Sequence, residues 1–240
     1  MIPAGAALPT NTIEVGQHIT RTIFGLTVNV DTVYTTVIAG AIVIGLGLWI
    51  RRGLTSGTPN KPQLIFEVIV DAVQRQVEEA IGPVAPFVVP LAVTLFTFIL
   101  VANWLSVIPS GHHPELLPPP TADTNLTFAM ALLVTVLFTV TGVRHRGIGP
   151  YVKGFFKPVL LSPVKVIEEF AKPLSLALRL FGNIFAGGVM VSVISLIPAF
   201  LLWPFNAAWK LFDMFIGGIQ AFIFAFLTIL YFSFAISEEH

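Results

Sequence analysis

A single arginine in the middle of a long apolar segment constrains this chain more than any other residue. Lys172 to Gly188 reads KPLSLALRLFGNIFAGG, and Arg179 is its central charge. No other Asp, Glu, Lys or Arg occurs from Pro173 to Trp209. An arginine at the bilayer centre costs about 2.5 to 3.5 kcal/mol on insertion scales, so it is retained where it has polar partners or water. Snorkelling of the side chain to an interface is the alternative, but the apolar residues after Arg179 favour a functional site.

A polar stripe passes through this arginine on the helix that the segment predicts. At about 100° per residue, its members share one face. They are Lys165, Glu168, Lys172, Ser175, Arg179, Asn183 and Ala186. Glu168 and the adjacent Glu169 add carboxylates at the first end of the stripe, although they could also be solvated residues at a helix start.

The composition indicates a membrane protein of the all-α class. Of 240 residues, 55% are hydrophobic and 11% are charged, unlike the composition of a soluble domain. The formal net charge is zero, so no global field attracts nucleic acid. The absence of cysteine excludes disulfides and thiolate chemistry. The first residues lack the basic and apolar regions of a signal peptide, so insertion is expected to use the internal helices.

Apolar runs predict about five membrane helices and a surface amphipathic helix. In chain order the predicted segments are an N-terminal outer segment 1–31, helix one 32–50, the amphipathic helix 63–80, helix two 87–108, helix three 124–143, the arginine-bearing helix 163–198 and a last helix 205–236. Basic residues follow helices one and three and are absent between helices two and three. The positive-inside rule therefore predicts an outer N-terminus and a cytoplasmic C-terminus.

The last two helices are predicted to form an antiparallel hairpin with its apex at Pro198 to Pro204. In such a hairpin, the residue numbers of any two residues at equal depth in the membrane add up to the same total. This relation sets Arg179 opposite Gln220. The glutamine carbonyl can accept from the guanidinium and hold the buried charge without neutralising it. The same relation sets Asp213 opposite Ala186 and Gly187, on the outer side.

The hairpin would thus carry an acidic patch on either side of its central arginine. Asp213 is the outer patch, unless it only forms an ion pair with Lys210, and Glu168 and Glu169 lie opposite Tyr231 on the inner side. Two polar pockets separated by a fixed positive charge pass protons only if a partner's carboxylate carries charge past the arginine. Gly187, Gly188, Gly217 and Gly218 fit either close helix packing or a water path. His112 and His113 are too few ligands to predict a metal site.

Four stretches resemble subunit a of the F-type ATP synthase membrane sector. They are LSLALRLFGNIFAGG, QAFIFAFLTILYFS, the terminal SEEH, and PTADTNLTFAMAL before helix three. The resemblance begins near Lys61 and is densest in the final third. It implies a bacterial, non-catalytic stator subunit in the cell membrane, without a cofactor. Such a subunit packs against a rotating ring of c subunits and peripheral-stalk b subunits, and two offset proton half-channels couple translocation to rotation and ATP synthesis.

The resemblance also implies roles for individual residues. The family's essential arginine falls on Arg179, with Gln220, Asn183 and Ser175 in support. The outer half-channel residues are Asp213, Asn103, Ser106 and His112, and the inner ones are Glu168, Glu169, Lys172 and Tyr231. Many relatives carry an acid at the position of Gly188 and a histidine at that of Asp213, so here Asp213 alone is expected to supply the outer carboxylate. The acid that some relatives carry in helix two is also missing.

Family members have long, tilted last helices, which this sequence permits. A helix from Pro163 to Ile197 would run about 50 Å, although a start at Pro173 would let it stand upright. The main competing interpretation is a stand-alone cation channel or secondary transporter, which should move ions when reconstituted by itself. A purely structural scaffold would tolerate loss of the Arg179 side chain.

Overall fold

The computed structural model describes a helical protein with one short β-hairpin. The described residues are 20–23, 26–55, 59–82, 87–105, 119–151 and 198–236, with 167, 171, 174–175, 177–178, 182, 185–190, 193–194 and 196 between the last two ranges. In chain order the elements are β1 (Thr20–Ile23), β2 (Leu26–Asn29), α1 (Val30–Arg52), α2 (Lys61–Ile81), α3 (Val88–Trp104), a 3-10 turn (Pro120–Ala122), α4 (Thr124–Arg146) and α5 (Ala199–Ile236).

Three helices in the described part of the chain are long and apolar enough to cross a membrane. They are α1, α4 and Leu201–Ile236 within α5, and α3 is a shorter apolar helix. Apolar side chains of α1 such as Ile44 and Trp49 are largely exposed on the protein surface. Because lipid tails are as apolar as these side chains, such a surface fits a bilayer. The predicted all-α membrane fold is confirmed, and most of the arginine-bearing helix lies outside the described residues.

Several helices extend past the bounds that the apolar runs predicted. The amphipathic helix begins at Lys61 because the Asn60 side chain caps it, accepting from the Gln63 backbone N–H at 3.0 Å, and Pro62 suits the first turn. Helix α4 continues through Arg146 rather than ending at 143. Basic side chains in the last turn of a helix interact favourably with the negative end of the helix dipole. They can therefore belong to the helix as well as follow it.

Helix α5 begins at Ala199, six residues before the predicted start at 205. The Leu201 N–H donates to the Pro198 carbonyl at 2.9 Å and closes the first turn. Pro204 lies inside the helix, where its missing N–H removes one backbone hydrogen bond. Membrane helices accommodate such a proline when local adjustments satisfy the freed carbonyl. The predicted turn from Pro198 to Pro204 is therefore helical from Ala199 onward.

The N-terminal hairpin was not predicted from the sequence. β1 pairs antiparallel with β2, and Ile23 is the register partner of Leu26. Both strands, TRTI and LTVN, are rich in β-branched residues and are separated by a glycine-containing pair. That pattern is a hairpin signal. The hairpin leads directly into α1.

Helix α5 is the centre of the packed core. It packs against α2, α3 and α4, and the largest fully buried side chains of the core are Phe138, Phe224 and Phe232. Phe232 meets Phe138 edge to face with ring centroids 6.4 Å apart. This geometry is favourable for aromatic pairs. Helix α1 joins the bundle through α3, where Ala39 and Ala102 are fully buried.

The amphipathic helix α2 contributes only its second half to this core. Val77 is buried, and Val73 and Ala80 pack against the same cluster. Ile65, in the first half of α2, is 64% exposed. Helix α2 therefore packs against this chain at its C-terminal end and leaves apolar surface open at its N-terminal end.

Gly142 allows α4 and α5 to approach closely. A Cβ at this position would lie 2.9 Å from the Ala235 carbonyl oxygen and 3.2 Å from the Ala235 Cβ. It would also lie 2.7 Å from the Tyr151 ring. A side chain at 142 therefore requires the two helices to separate.

We expect Gly142→Val to destabilise the chain, because overpacking of this kind costs about 1–3 kcal/mol. Gly45→Val in α1 is the matched control, since a Cβ there meets no atom within 4 Å. The thermal stability of the purified membrane complex measures the effect. Equal stability of the two variants would contradict the close contact.

Candidate functional site

One face of α5 carries the predicted site residues of the last helix. Asp213, Gln220 and Tyr231 return to the same side at helical spacing. Gln220 is buried at 6% exposure, whereas Asp213 and Tyr231 are half-buried. At 1.5 Å per residue, Asp213 lies about 10 Å from Gln220, and Tyr231 about 16 Å beyond it. The face therefore has an acid, a buried amide and a phenol in order along its length.

The Asp213 carboxylate lies against the backbone of Gly187. A Cβ built on Gly187 would be 3.0 Å from Asp213 Oδ1 and 3.6 Å from its Cγ. This contact confirms the predicted pairing of Asp213 with Gly187 across the hairpin. Glycine at 187 leaves the room that the carboxylate occupies.

Gln220 is buried with part of its amide unsatisfied. Its Nε2 has no hydrogen-bond acceptor among the residues that the structure describes. An unmade buried hydrogen bond costs about 1–3 kcal/mol. Its predicted partner Arg179 lies outside the described residues.

The described positions of the arginine-bearing segment have one covered and one open side. Ala177 is fully buried in the core, while Ser175 is exposed. Ser175 borders an open groove together with Ala171, Leu174 and Leu178. The predicted site residues that lie outside the described part of the chain are Arg179, Asn183, Ser106, His112, Glu168, Glu169 and Lys172.

A buried polar cluster joins the start of α1, the turn before α4 and the end of α3. We call it the Asp123 cluster. Asp123 Oδ2 accepts from Asn29 Nδ2 at 2.8 Å and from Thr32 Oγ1 at 2.7 Å. Its Oδ1 accepts from the Asn125 N–H at 2.8 Å and caps α4. Sequence reasoning missed this residue, although an aspartate directly before an apolar helical run is an N-cap signal.

Asn103 connects this end of the bundle to α5. Its Oδ1 accepts from Thr121 Oγ1 at 2.7 Å, and its Nδ2 donates to the Gly217 carbonyl at 3.1 Å. A Cβ on Gly217 would be 3.0 Å from the Asn103 Cβ. The predicted outer half-channel residue is thus buried between helices, and Gly217 permits close packing there.

The C-terminal end of α5 is held by α4 and α2. Arg146 Nη2 donates to the Phe234 carbonyl at 2.9 Å, where a cation complements the last turn of a helix. Ser233 Oγ donates to the Ala80 carbonyl at 2.6 Å and satisfies the last turn of α2. The Tyr231 ring lies against Phe138, with centroids 5.9 Å apart.

The basic residues that flank the spans gather at this second end. Helices α1 and α4 both begin at the Asp123 cluster, so their C-terminal ends lie at the other end of the bundle. Arg51 and Arg52 occupy the last turn of α1, and Arg144 and Arg146 that of α4. Within the described part of the chain, no group of three or more His, Asp or Glu residues is arranged to hold a metal ion.

The comparisons with known proteins agree with this architecture. The family described as ATP synthase A chain matches residues 33–233. This chain belongs to the ATP synthase subunit a family. The subunit a of Acidothermus cellulolyticus is 54% identical over 237 residues, covering 95% of this chain and 87% of that protein. That of Mycobacterium tuberculosis is 52% identical over 240 residues, covering 95% and 96%. A more distant subunit a, from Psychrobacter cryohalolentis, is 30% identical over 89% of this chain and 85% of its own length.

Family membership fixes the general role. The chain is a multi-pass membrane subunit of the F-type ATP synthase membrane sector, and it takes part in proton transport and ATP synthesis. In this subunit a, the candidate site is the face of α5 that carries Asp213, Gln220 and Tyr231.

We expect Arg146→Met to lower the thermal stability of the assembled complex more than Arg144→Met does. The first variant loses a hydrogen bond from a charged donor, worth about 1.5–3 kcal/mol. Arg144 is exposed in the same last turn of α4, so the second variant removes the same charge as a control. Thermal release of the chain from the solubilised complex measures both. Equal shifts would contradict a specific cap on α5.

Proposed function

We propose that this chain is the stator subunit that provides two offset proton half-channels on either side of Arg179. Its partners are the rotating ring of c subunits, whose membrane carboxylates face Arg179, and the peripheral-stalk b subunits. Proton passage through the half-channels drives rotation and thereby ATP synthesis. The chain itself catalyses no bond-forming step.

The buried amide of Gln220 is the observation that carries this proposal. It stands on α5 between the half-buried Asp213 and Tyr231 and lacks an acceptor among the described residues. A solitary bundle would gain by burying an apolar residue there. A buried amide at this position can form hydrogen bonds with a guanidinium and with a passing carboxylate. Both of those groups need hydrogen-bond partners at this depth.

The mechanism follows from a fixed positive charge between two polar pockets. A guanidinium remains protonated, so Arg179 repels free protons and keeps a nearby ring carboxylate ionised. Asp213 supplies protons to the ring from the outer pocket. Glu168, Glu169, Lys172 and Tyr231 receive them on the inner side. Each charge that crosses the membrane contributes about 2.3 kcal/mol per 100 mV.

The orientation follows from the basic residues at the second end of the bundle. With Arg51, Arg52, Arg144 and Arg146 facing the cytoplasm, the Asp123 cluster and Asp213 face outward. The N-terminus is then outside and the C-terminus is cytoplasmic, in the plasma membrane of a bacterium.

We expect Arg179→Ala to reduce proton-driven ATP synthesis to background while the complex still assembles. Loss of the guanidinium removes both the barrier to protons and the partner of the ring carboxylate. Synthesis in energised vesicles and recovery of the chain with the c-ring are the measurements. The wild-type chain reconstituted without the ring should conduct no more protons than empty vesicles. Retained synthesis, or conduction by the chain alone, would overturn the proposal.

We expect Asp213→Asn to slow proton-driven synthesis by roughly a hundredfold, the low side of what a positioned proton donor contributes. The substitution keeps the shape of the side chain and removes its titratable group. Asp71→Asn is the control, because Asp71 is an exposed carboxylate of α2. The rate is measured over a range of outer pH. A turnover equal to that of the wild type at every pH would exclude Asp213 as the outer donor.

A further inference from the structure

We propose that Asn103 is a positioning residue that fixes how far α5 lies along the bundle axis, and with it the depth of Asp213 and Gln220. This inference rests on the proposed function of those two residues. It assigns Asn103 a mechanical role in the subunit rather than a place in the lining of the outer water path.

Both the nitrogen and the oxygen of the Asn103 carboxamide form hydrogen bonds. The residue is 6% exposed and Thr121 is fully buried. Nδ2 donates to the Gly217 carbonyl at 3.1 Å, and Oδ1 accepts from Thr121 Oγ1 at 2.7 Å. A carboxamide does not titrate, and these two bonds orient it between α5 and the turn before α4.

The next residue of α3 makes a parallel contact with the same helix. Trp104 Nε1 donates to the Met214 carbonyl at 3.2 Å. Met214 and Gly217 are one turn apart, so consecutive side chains at the end of α3 hold consecutive turns of the α5 backbone. Side chains that bond to backbone carbonyls fix a helix along its axis independently of its own side chains.

Such contacts matter for the axial position of α5 because lipid tails compete with neighbouring helices for its apolar side chains. Helices in a bilayer associate through close contacts at small residues and through interhelical hydrogen bonds. Gly217 supplies the close contact, with its ideal Cβ 3.0 Å from the Asn103 Cβ. It lies four residues after Asp213 and three before Gln220. A slip of one turn would move both by about 5.4 Å.

The Asp123 cluster anchors the other side of this contact. Thr121 belongs to the 3-10 turn that leads to Asp123, and Asp123 is bonded to Asn29 and Thr32 at the start of α1. Asn103 therefore ties α5 to two further helices.

The test measures the position of α5 relative to the segment that contains Gly187. The chain has no cysteine, and Gly187→Cys with Asp213→Cys introduces a pair at positions in contact, where an ideal Cβ at 187 lies 3.6 Å from Asp213 Cγ. The sulfur of a cysteine at 213 takes about the place of Cγ, so the sulfur of a cysteine at 187 can reach it. We expect oxidation of the assembled complex to form this disulfide, and Asn103→Leu to reduce its yield several-fold. Thr97→Val is the control, because the Thr97 hydroxyl bonds only within α3 among the described residues, to the Val93 carbonyl at 2.8 Å.

A second variant keeps the inference testable if Asn103→Leu fails to assemble. In Asn103→Asp, the protonated acid can donate to Gly217 and accept from Thr121, whereas the carboxylate cannot donate. With the native Gly187 and Asp213, we expect synthesis relative to wild type at the same pH to fall by roughly two- to tenfold as pH rises, the effect of one net hydrogen bond. A residue that merely lines a water path would show no such fall.

The outcomes separate this inference from the proposed function. The disulfide yield of the cysteine pair with the native Asn103 is the reference, and an undiminished yield in Asn103→Leu would overturn the positioning role. If that variant does not assemble, a flat pH profile of Asn103→Asp would overturn it. The disulfide reports geometry without proton flow, so activity that persists in Arg179→Ala would refute the proposed function and leave this result standing.

Discussion

A polar group between helices in a bilayer must find its partner inside the protein, and this requirement organises the structure. Water is absent from the bilayer core, so each unmade hydrogen bond is costly there. The Asp123 carboxylate meets this requirement by accepting hydrogen bonds from Asn29, from Thr32 and from the start of α4. On α5, the carbonyls of Gly217, halfway along the helix, and of Phe234, in its last turn, accept from Asn103 and Arg146. Gln220, three residues after Gly217, has an amide nitrogen that the described residues leave unmet.

The α5 backbone is thus held near its middle and in its last turn. Donors on α3 reach the carbonyls of Met214 and Gly217, and the Arg146 guanidinium reaches that of Phe234. Glycines bring neighbouring helices close at both places, Gly217 of α5 against α3 and Gly142 of α4 against α5. The proposed work against a moving ring would need such a fixed surface, because displacement of about 1 Å at a reacting group can lower a rate severely.

The sequence predicted the features that depend on composition and helical spacing. Apolar runs located the spans. The rule that facing residues of a hairpin have numbers with the same total placed Asp213 opposite Gly187. Features that depend on particular contacts were not predicted. Pro204 reads as a turn residue, yet it lies inside a helix. The strands of the hairpin, Thr20–Ile23 and Leu26–Asn29, are too short to stand out within an outer segment. Asp123 was visible only as part of a motif, since its cross-helix partner Asn29 lies far away in the chain.

The central claim is that the guanidinium of Arg179 stands between two polar pockets that never join. A cryo-electron microscopy map of the complete membrane sector, with its ring, tests this most directly. The account predicts that Arg179 and the amide of Gln220 face the ring carboxylates, with separate water-filled pockets at Asp213 and at Glu168. A map with the Arg179 side chain turned to lipid, or with one continuous water path past it, would contradict the account.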